Sequence, residues 1–341
     1  MELRKMQLIG RGSFSITLPP DWVKENKLKP SDQITITRED DGSLRLVPGI
    51  IREEKKEVKI TIDADRLKYP RLLNRLIIGG YIRGCDSIEV VSKKTISENH
   101  RKEIHDAIDS LMGLGVVESS SNHIVLQSMV DHSKFPIMPL LRRLEALVSS
   151  MYEDALKALK ERDLSLASNV VQRENEVDKI YWLMGRQTAA AALDKTVLKK
   201  IDLKGTSDLA LHIVIFPRIR AIAEYAVDIA NNQLSLKEKM VGDADLQKVI
   251  RLGKMVQVLC QNSCKGFFDG DIILANNTLE TFEQIEKMND ELRMDMGPRI
   301  KDPILAMHLM TIIRDMDRIA RYGKFIAEVT IHSAARKNNL P

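Results

Sequence analysis

The region that begins at Phe135 repeats itself, and this internal repeat constrains the fold more than any other feature of the sequence. Apolar residues there recur at spacings of three, four and seven, which is typical of helices that bury one face. Three sequence blocks recur in the same order, which indicates two copies of one structural unit. The matching blocks are Glu174–Ile180 with Glu286–Leu292, Leu209–His212 with Leu305–His308, and Ile222–Tyr225 with Ile319–Tyr322.

Each copy contains three predicted helices. The first copy covers residues 135–238 and the second covers 240–337, and six such helices are expected to stack as one bundle. The offset between matching blocks is larger for the first block than for the later two. The first copy therefore has the longer connection, which we predict to be a loop from Lys199 to Gly205. The predicted helices span residues 137–162, 165–198, 207–235, 243–268, 271–296 and 302–336.

A small β domain is predicted over residues 1–50. Arg11 lies at the tip of its first hairpin and Lys5 lies near the root, an arrangement that suits a polyanion. About fifty residues bury little surface alone, so this domain would gain stability by dimerising or by docking on the rest of the chain. Its predicted elements are two strands on either side of the turn Gly10–Ser13, a short helix over Asp21–Asn26, and a second hairpin of Gln33–Thr37 with Leu44–Val47.

Residues 55–130 have the pattern of a compact α/β unit. We find no phosphate-binding loop, nucleophile elbow or metal motif in them. Two interpretations remain open, a spacer or dimerisation module and a small-ligand site. The predicted strands are Val58–Ile62, Ser87–Val91, Val116–Glu118 and His123–Leu126, and the predicted helices run from about Pro70 to Ile82 and from Ser97 to Met112.

Composition indicates a cytoplasmic multidomain protein. A chain of 341 residues is too long for one ordinary core, and 29% charged with 44% apolar residues is a globular composition. The net charge of +4 does not by itself establish a nucleic-acid partner. Three cysteines do not make a disulfide framework, and we expect Cys260 and Cys264 to be reduced thiols. No apolar run is long enough for a membrane helix and no leader is present, so we expect no membrane insertion.

Acidic residues spaced four apart recur on the predicted helices. This spacing places both carboxylates of a pair on one helical face, where pairs from two helices could bind a divalent metal. The alternative is an ordinary solvated face, on which such pairs are common. The pairs are Glu174 with Asp178, Glu224 with Asp228, and Glu286 with Asp290.

The second copy departs from the first at these positions. Arg321 stands where the first copy has Glu224, and Phe325 stands where it has Asp228. Arg321 is thus an alternative partner for the acids of the preceding helix, and that pairing would leave the second copy without metal. His212 and His308 occupy equivalent positions on apolar faces, and we interpret both as packing residues.

Residues 4–48 resemble the AbrB/MazE/SpoVT family of swapped-hairpin DNA-binding domains. The resemblance runs through Arg4-Lys5, Gly10-Arg11, Ile16–Pro19, Lys29–Asp32 and Asp41-Gly42. It implies that two chains interlock and present basic side chains to DNA. The positions that match the family's basic residues are Arg4, Lys5, Arg11 and Lys24, although Val23 replaces a usual basic residue beside Lys24.

Residues 137–336 resemble PhoU, a phosphate-uptake regulator built from two three-helix repeats. The family's third-helix pattern is altered here to Arg220–Glu224 followed by Asp228, and to Asp317–Arg321 followed by Phe325. Some members bind metal clusters through these acids, so the resemblance implies a divalent metal or iron. The implied ligands are Glu174, Asp178, Glu224 and Asp228 in the first copy, and Glu286, Asp290 and Asp317 in the second.

The combined expectation is a multidomain α+β protein. It has an N-terminal swapped-hairpin β domain, a middle α/β unit and a C-terminal all-α bundle of two PhoU-like repeats. The fusion resembles archaeal PhoU-like regulators, which implies a non-enzymatic, negative regulator of phosphate uptake and homeostasis that binds DNA as a homodimer or higher oligomer. The alternative is a cytoplasmic adaptor that docks on the ATPase subunit of a phosphate transporter or on a sensor. A metal-dependent enzyme is disfavoured because no nucleophile–base pair is evident.

Overall fold

The computed structural model describes residues 2–38, 42–49, 57–237, 239 and 242–334. The chain divides into two compact units, Met1–Lys56 and Glu57–Pro341. The fold class expected from the sequence is confirmed, with a small β region at the N-terminus, a sheet in the middle and a helical region after it. None of the helices in the described residues is long and apolar enough to cross a membrane.

The N-terminal unit consists of two hairpins and a short helix. Gly10 has a φ of 64°, which glycine adopts without strain, and it opens the tight turn of the first hairpin. The sequence also predicts a turn over Asp40–Ser43 between the strands of the second hairpin, and residues 40 and 41 of it lie outside the described residues. The elements are β1 (Gln7–Ile9) paired with β2 (Ser13–Ser15), α1 (Pro20–Glu25), and β3 (Ile34–Arg38) paired with β4 (Leu44–Pro48).

The α/β part of the second unit is a four-stranded sheet with two helices. Strands β5 and β6 are parallel and are joined through α2, whereas β8 lies antiparallel between β6 and β7. Ser97, at which the sequence predicts this helix to begin, caps α3 by accepting from the backbone N–H of His100. The elements are β5 (Lys59–Asp63), α2 (Leu72–Ile82), β6 (Ser87–Val91), α3 (Glu98–Ser110), β7 (Leu114–Ser119) and β8 (His123–Ser128).

Within the described residues, eight α-helices follow, and they form one apolar core that runs through both repeats. The first repeat is α4 (Ile137–Glu161), α5 (Leu164–Gln172), α6 (Glu174–Leu193), α7 (Lys195–Lys200) and α8 (Thr206–Leu236). The second repeat is α9 (Asp243–Asp269), α10 (Ile272–Met296) and α11 (Pro303–Ala334).

The single helix predicted over 165–198 is wrong, because the chain breaks it twice. The first break is at Arg173, between α5 and α6. The second is at Asp194, which is extended at φ −135° and ψ 114° and caps α7 by accepting from the backbone N–H of Thr196. Short polar side chains such as Asp194 favour this capping role over a helix interior.

The loop predicted from Lys199 to Gly205 is correspondingly shorter than expected. Lys199 still belongs to α7, and the segment packs into the core, with Leu198 and Ile201 buried. The carbonyl of Ile201 accepts from the backbone N–H of Ile137 at 3.1 Å, at the start of α4. The extra length of the first repeat is therefore a packed helical connection.

One buried arginine on α6 joins the α/β part to the bundle. Arg186 Nη1 donates to the backbone carbonyls of Tyr81 at 2.6 Å and Cys85 at 3.0 Å, and its guanidinium lies 5.0 Å from the centroid of the Tyr81 ring. The adjacent Gln187 donates through Nε2 to the carbonyls of His132 and Phe135. These bonds fix the α/β part on α6.

Replacing Arg186 by methionine should destabilise the fold. The carbonyls of Tyr81 and Cys85 would stay buried without these donors, which costs about 1–3 kcal/mol. Urea unfolding followed by circular dichroism measures this loss. The exposed Arg83→Met variant is the control and should change stability by less than about 0.5 kcal/mol. Equal midpoints for the two variants would contradict the assigned role of Arg186.

Glycine 323 allows α11 to approach α9 closely. A Cβ atom there would lie 2.3 Å from Leu259 Cδ2 and 3.2 Å from Cys260 Sγ. Gly323→Ala should therefore cost about 1–3 kcal/mol through overpacking. Gly79→Ala in α2 meets nothing within 4 Å and should gain about 0.5–1 kcal/mol from helix propensity. Thermal unfolding of both variants tests this opposition, and an unchanged Gly323→Ala would refute the close packing.

Candidate functional site

The four predicted DNA-contacting residues are all exposed. Arg4 precedes β1 and pairs with Glu2, two residues away, through Nε at 3.2 Å. An exposed pair of this kind contributes little and is readily exchanged for another anion. Arg11 lies at the hairpin tip, and Lys24 lies in the last turn of α1. The structure thus leaves Arg4, Lys5, Arg11 and Lys24 in solvent, and their contacts with DNA stay a prediction.

The N-terminal unit has no buried side chain among its described residues. Its large apolar side chains instead face solvent, including several strand residues of both hairpins. A folded unit with this much apolar surface outside a core is expected to pack against another surface. The exposed fractions are 64% for Leu8, 63% for Phe14, 61% for Ile36 and 64% for Leu44.

In the first repeat, two of the four predicted metal-binding acids pair with an arginine. Arg220 on α8 donates through Nε to Asp178 Oδ1 on α6 at 2.9 Å and forms an ion pair with Glu224, one turn away on its own helix. The guanidinium lies 4.7 Å from the centroid of the Tyr181 ring and 5.7 Å from that of Trp182. Burial alone would lower the pKa of Arg220, but Asp178 and Glu224 outweigh it and raise that pKa.

Glu174 lies one turn before Asp178 on α6. Its pKa is raised, first by burial and then by the negative charge of Asp178, with Glu224 and Asp228 adding to the rise. Arg220 opposes this rise. Asp178 and Glu224, two of the four acids predicted for the first copy, therefore share one cation, which is a guanidinium.

The second repeat contains a corresponding arrangement. Arg321 on α11 donates through Nη2 to Glu286 Oε1 on α10 at 3.0 Å and through Nε to Asp317 Oδ2 at 2.9 Å. The predicted alternative, in which Arg321 pairs with an acid of the preceding helix, is confirmed for Glu286. Asp290 is exposed.

These donor sets do not fit a metal as they are arranged. Within residues 2–38, 42–49, 57–237, 239 and 242–334, no group of three or more His, Cys, Asp or Glu side chains could hold a metal ion. Oxygens of Asp178, Glu224, Glu286 and Asp317 accept from arginine instead. A fixed guanidinium also repels a metal cation at the same place. Metal binding by these residues stays a prediction.

The two equivalent histidines and the two neighbouring cysteines of the bundle lie in its packing. His212 is buried, its Nδ1 lies 2.8 Å from the carbonyl of Asp208, and burial lowers its pKa. His308 Nδ1 lies 2.8 Å from Asn232 Oδ1, which links α11 to α8. Cys260 and Cys264 are free thiols, as expected, and burial raises the pKa of Cys260 to about 12.

The α/β part contains a cleft beyond the carboxyl ends of its two parallel strands, where ligands commonly bind in such sheets. Its volume is about 490 Å³, and Tyr69, Arg71 and His100 contribute to its lining. Glu103 already caps α2 there, because its two oxygens accept from the backbone N–H groups of Arg71 and Asn74. The spacer and small-ligand interpretations of this part stay predictions.

Two residues important to this geometry were missed by sequence reasoning, Arg220 and Asp315. Asp315 lies on the apolar face of α11 between Ile312 and Ile319. A charged residue on an apolar helical face could have been identified from the sequence. Asp315 is fully buried, Arg314 donates to its Oδ1 at 3.0 Å, and its Oδ2 has no hydrogen-bond partner. Nearby, Tyr225 and Tyr322, which occupy equivalent positions in the two repeats, have ring centroids 6.0 Å apart.

The geometry defines a protein in which two helical repeats, α4–α8 and α9–α11, share one apolar core beside a small α/β part. The family model described as "PhoU domain" matches residues 141–232 and 249–330, which together make up just over half of the chain. The chain therefore belongs to the PhoU domain family. The model described as "Antidote-toxin recognition MazE, bacterial antitoxin" matches residues 7–57.

Two solved structures are similar in fold. PhoU from Pseudomonas aeruginosa superposes with a TM-score of 0.52 at 17% identity, covering 58% of this chain and 95% of that one. The phosphate transport system regulatory protein PhoU from Streptococcus pneumoniae gives 0.50 at 17% identity, covering 60% and 96%. A comparison with curated protein sequences found no significant match.

The buried carboxylate of Asp315 should make stability depend on pH. Burial raises its pKa and Asp228 adds to the rise, whereas Arg314 and Arg318 oppose it. A raised folded-state pKa stabilises the fold below the ordinary pKa of the acid, and this contribution is lost as pH rises through the folded-state value. Asp315→Asn, which is neutral at all pH values, should therefore be more stable than wild type at neutral pH.

The difference between wild type and Asp315→Asn should shrink in acid, where both side chains are neutral. Thermal unfolding across a pH series measures it. Asp106→Asn, which replaces an exposed carboxylate on α3, is the control and should show no such trend. A stability difference of the same size at every pH would show that Asp315 does not titrate as described.

Proposed function

We propose that this protein is a regulator of phosphate uptake that binds DNA as a dimer in the cytoplasm and represses its targets. Membership of the PhoU domain family supports the link to phosphate, and one structural relative is titled a phosphate transport system regulatory protein. The match of residues 7–57 to the MazE model supports a nucleic-acid or oligomer role for the N-terminal unit. A regulatory role, rather than catalysis, fits both matches.

The observation that carries the proposal is the absence of buried side chains among the described residues of the N-terminal unit. Two hairpins with Leu8, Phe14 and Leu44 in solvent lack a core of their own. A second copy of the same unit supplies a matching apolar surface, which would bury these side chains in a symmetric dimer. The exposed cations would then be doubled on one surface.

A doubled cationic surface suits the DNA backbone. Arg4, Lys5, Arg11 and Lys24 would contact phosphates, releasing counterions and setting the position of the dimer. The bundle would respond to phosphate status through a ligand or partner that prefers one of its states, and so would shift the DNA-binding population. The alternative is an adaptor that docks on the ATPase subunit of a phosphate transporter or on a sensor and uses the N-terminal unit only to dimerise.

Fluorescence polarisation with the DNA upstream of phosphate-transporter genes tests the proposal. Wild type should bind at low salt, and Arg4→Ala/Arg11→Ala should bind at least about tenfold more weakly because it loses phosphate contacts in both protomers. The plot of log affinity against log salt should also become shallower for this variant.

The matched control is Arg251→Ala/Lys254→Ala, which removes two exposed charges from α9 in the second unit. It should bind DNA nearly as well as wild type. If wild type fails to bind while still sedimenting as a dimer and co-purifying with the transporter ATPase, the adaptor is the correct function. Equal binding by all three proteins would show that Arg4 and Arg11 are not the contacts.

A further inference from the structure

By the sequence match between the repeats, α6 and α10 are their second helices, and α8 and α11 are their third helices. The two third helices carry exchanged charges. Alignment of Ile222–Tyr225 with Ile319–Tyr322 makes Arg220 equivalent to Asp317 and Glu224 equivalent to Arg321. The first repeat thus has arginine before acid, and the second has acid before arginine, one helical turn apart in each case. Each pair forms an ion pair along its own helix.

The exchange preserves the link to the second helix of the repeat. Arg220 reaches Asp178, the later acid of its pair on α6, at 2.9 Å. Arg321 reaches Glu286, the earlier acid of its pair on α10, at 3.0 Å. When two helices are antiparallel, a side chain placed one turn later on one helix lies opposite the preceding turn of the other helix. In the second repeat the arginine lies one turn later than in the first, and its acidic partner lies one turn earlier. The two changes together keep the arginine opposite a carboxylate.

An aromatic ring from the second helix of each repeat also faces the arginine. The guanidinium of Arg220 lies 4.7 Å from the centroid of Tyr181, and that of Arg321 lies 5.7 Å from the centroid of Phe282. A guanidinium is planar and weakly hydrated, so it can stack on a ring and bind carboxylates at its edge. A hydrated divalent ion gains from oxygen ligands and not from such a ring.

We propose that a resident guanidinium is the cation of both carboxylate clusters, so that the repeats are metal-independent. Arg220 and Arg321 neutralise the converging acids and tie the second helix of each repeat to the third. In the first repeat, Asp178 and Glu224 are both paired with Arg220. Removal of Arg220 would therefore leave acids that attract a divalent cation.

The experiment compares the full-length wild type with four variants, using Mn²⁺ as the probe. Wild type purified without chelator should contain no stoichiometric metal by mass spectrometry, and its Tm should not change with EDTA or with Mn²⁺. Arg220→Ala should have a lower Tm, and added Mn²⁺ should raise that Tm in a saturable way. Arg251→Ala, with the same change in net charge at an exposed site, should respond to neither reagent.

The decisive variant is Arg220→Asp/Glu224→Arg, which gives the first repeat the order of charges found in the second. It should keep a Tm near that of wild type and ignore Mn²⁺, because its new arginine can reach Glu174 as Arg321 reaches Glu286. This variant also serves where Arg220→Ala fails to fold.

Three results would overturn the proposal. The first is a stoichiometric metal in wild type that Asp178→Asn removes. The second is a fall in the wild-type Tm on chelation. The third is a charge-exchanged variant as unstable as Arg220→Ala, or as unable to fold. None of these results depends on DNA binding or on a role in phosphate uptake.

Discussion

The buried contact between Arg186 and the carbonyls of Tyr81 and Cys85 makes the α/β part and the helical bundle one body. A charged donor is expensive to bury, and its cost is offset here by both carbonyls, by the ring of Tyr81 and by the carboxylate of Asp86, which lies 3.9 Å from the guanidinium. Because Arg186 lies on α6, that helix contributes both to the first carboxylate cluster and to the attachment of the α/β part. Its N-terminal turns carry Glu174 and Asp178 of the first carboxylate cluster, and its later turns hold the α/β part.

The same helix brings the cluster and the α/β core into contact. Trp182 packs against the apolar core of the sheet and its helices. The guanidinium of Arg220 lies 5.7 Å from its ring while also holding Asp178. Trp182 therefore contacts both Arg220 of the ionic cluster and the α/β core.

Most of the helices were predictable because they follow from local periodicity. The repeat and the pairing of Arg321 with Glu286 were predictable from comparison of one repeat with the other. The breaks at Arg173 and Asp194 were not predicted, since apolar spacing continues across them and the capping bond of Asp194 decides the outcome locally. The role of Arg220 was missed for a different reason. Spacing shows which acids share a face, but only the crossing of α6 and α8 decides which cation enters between them.

The N-terminal unit follows a different energetic rule from the bundle. The bundle has a core of its own, whereas the described residues of the N-terminal unit include no buried side chain. If a second copy covers Phe14 and Leu44, folding and association of this unit are one event, and its stability depends on protein concentration. Anything that binds the paired form, DNA included, then stabilises it by mass action. In that case, whether the hairpins are folded depends on the same equilibrium that governs their association and their binding to DNA.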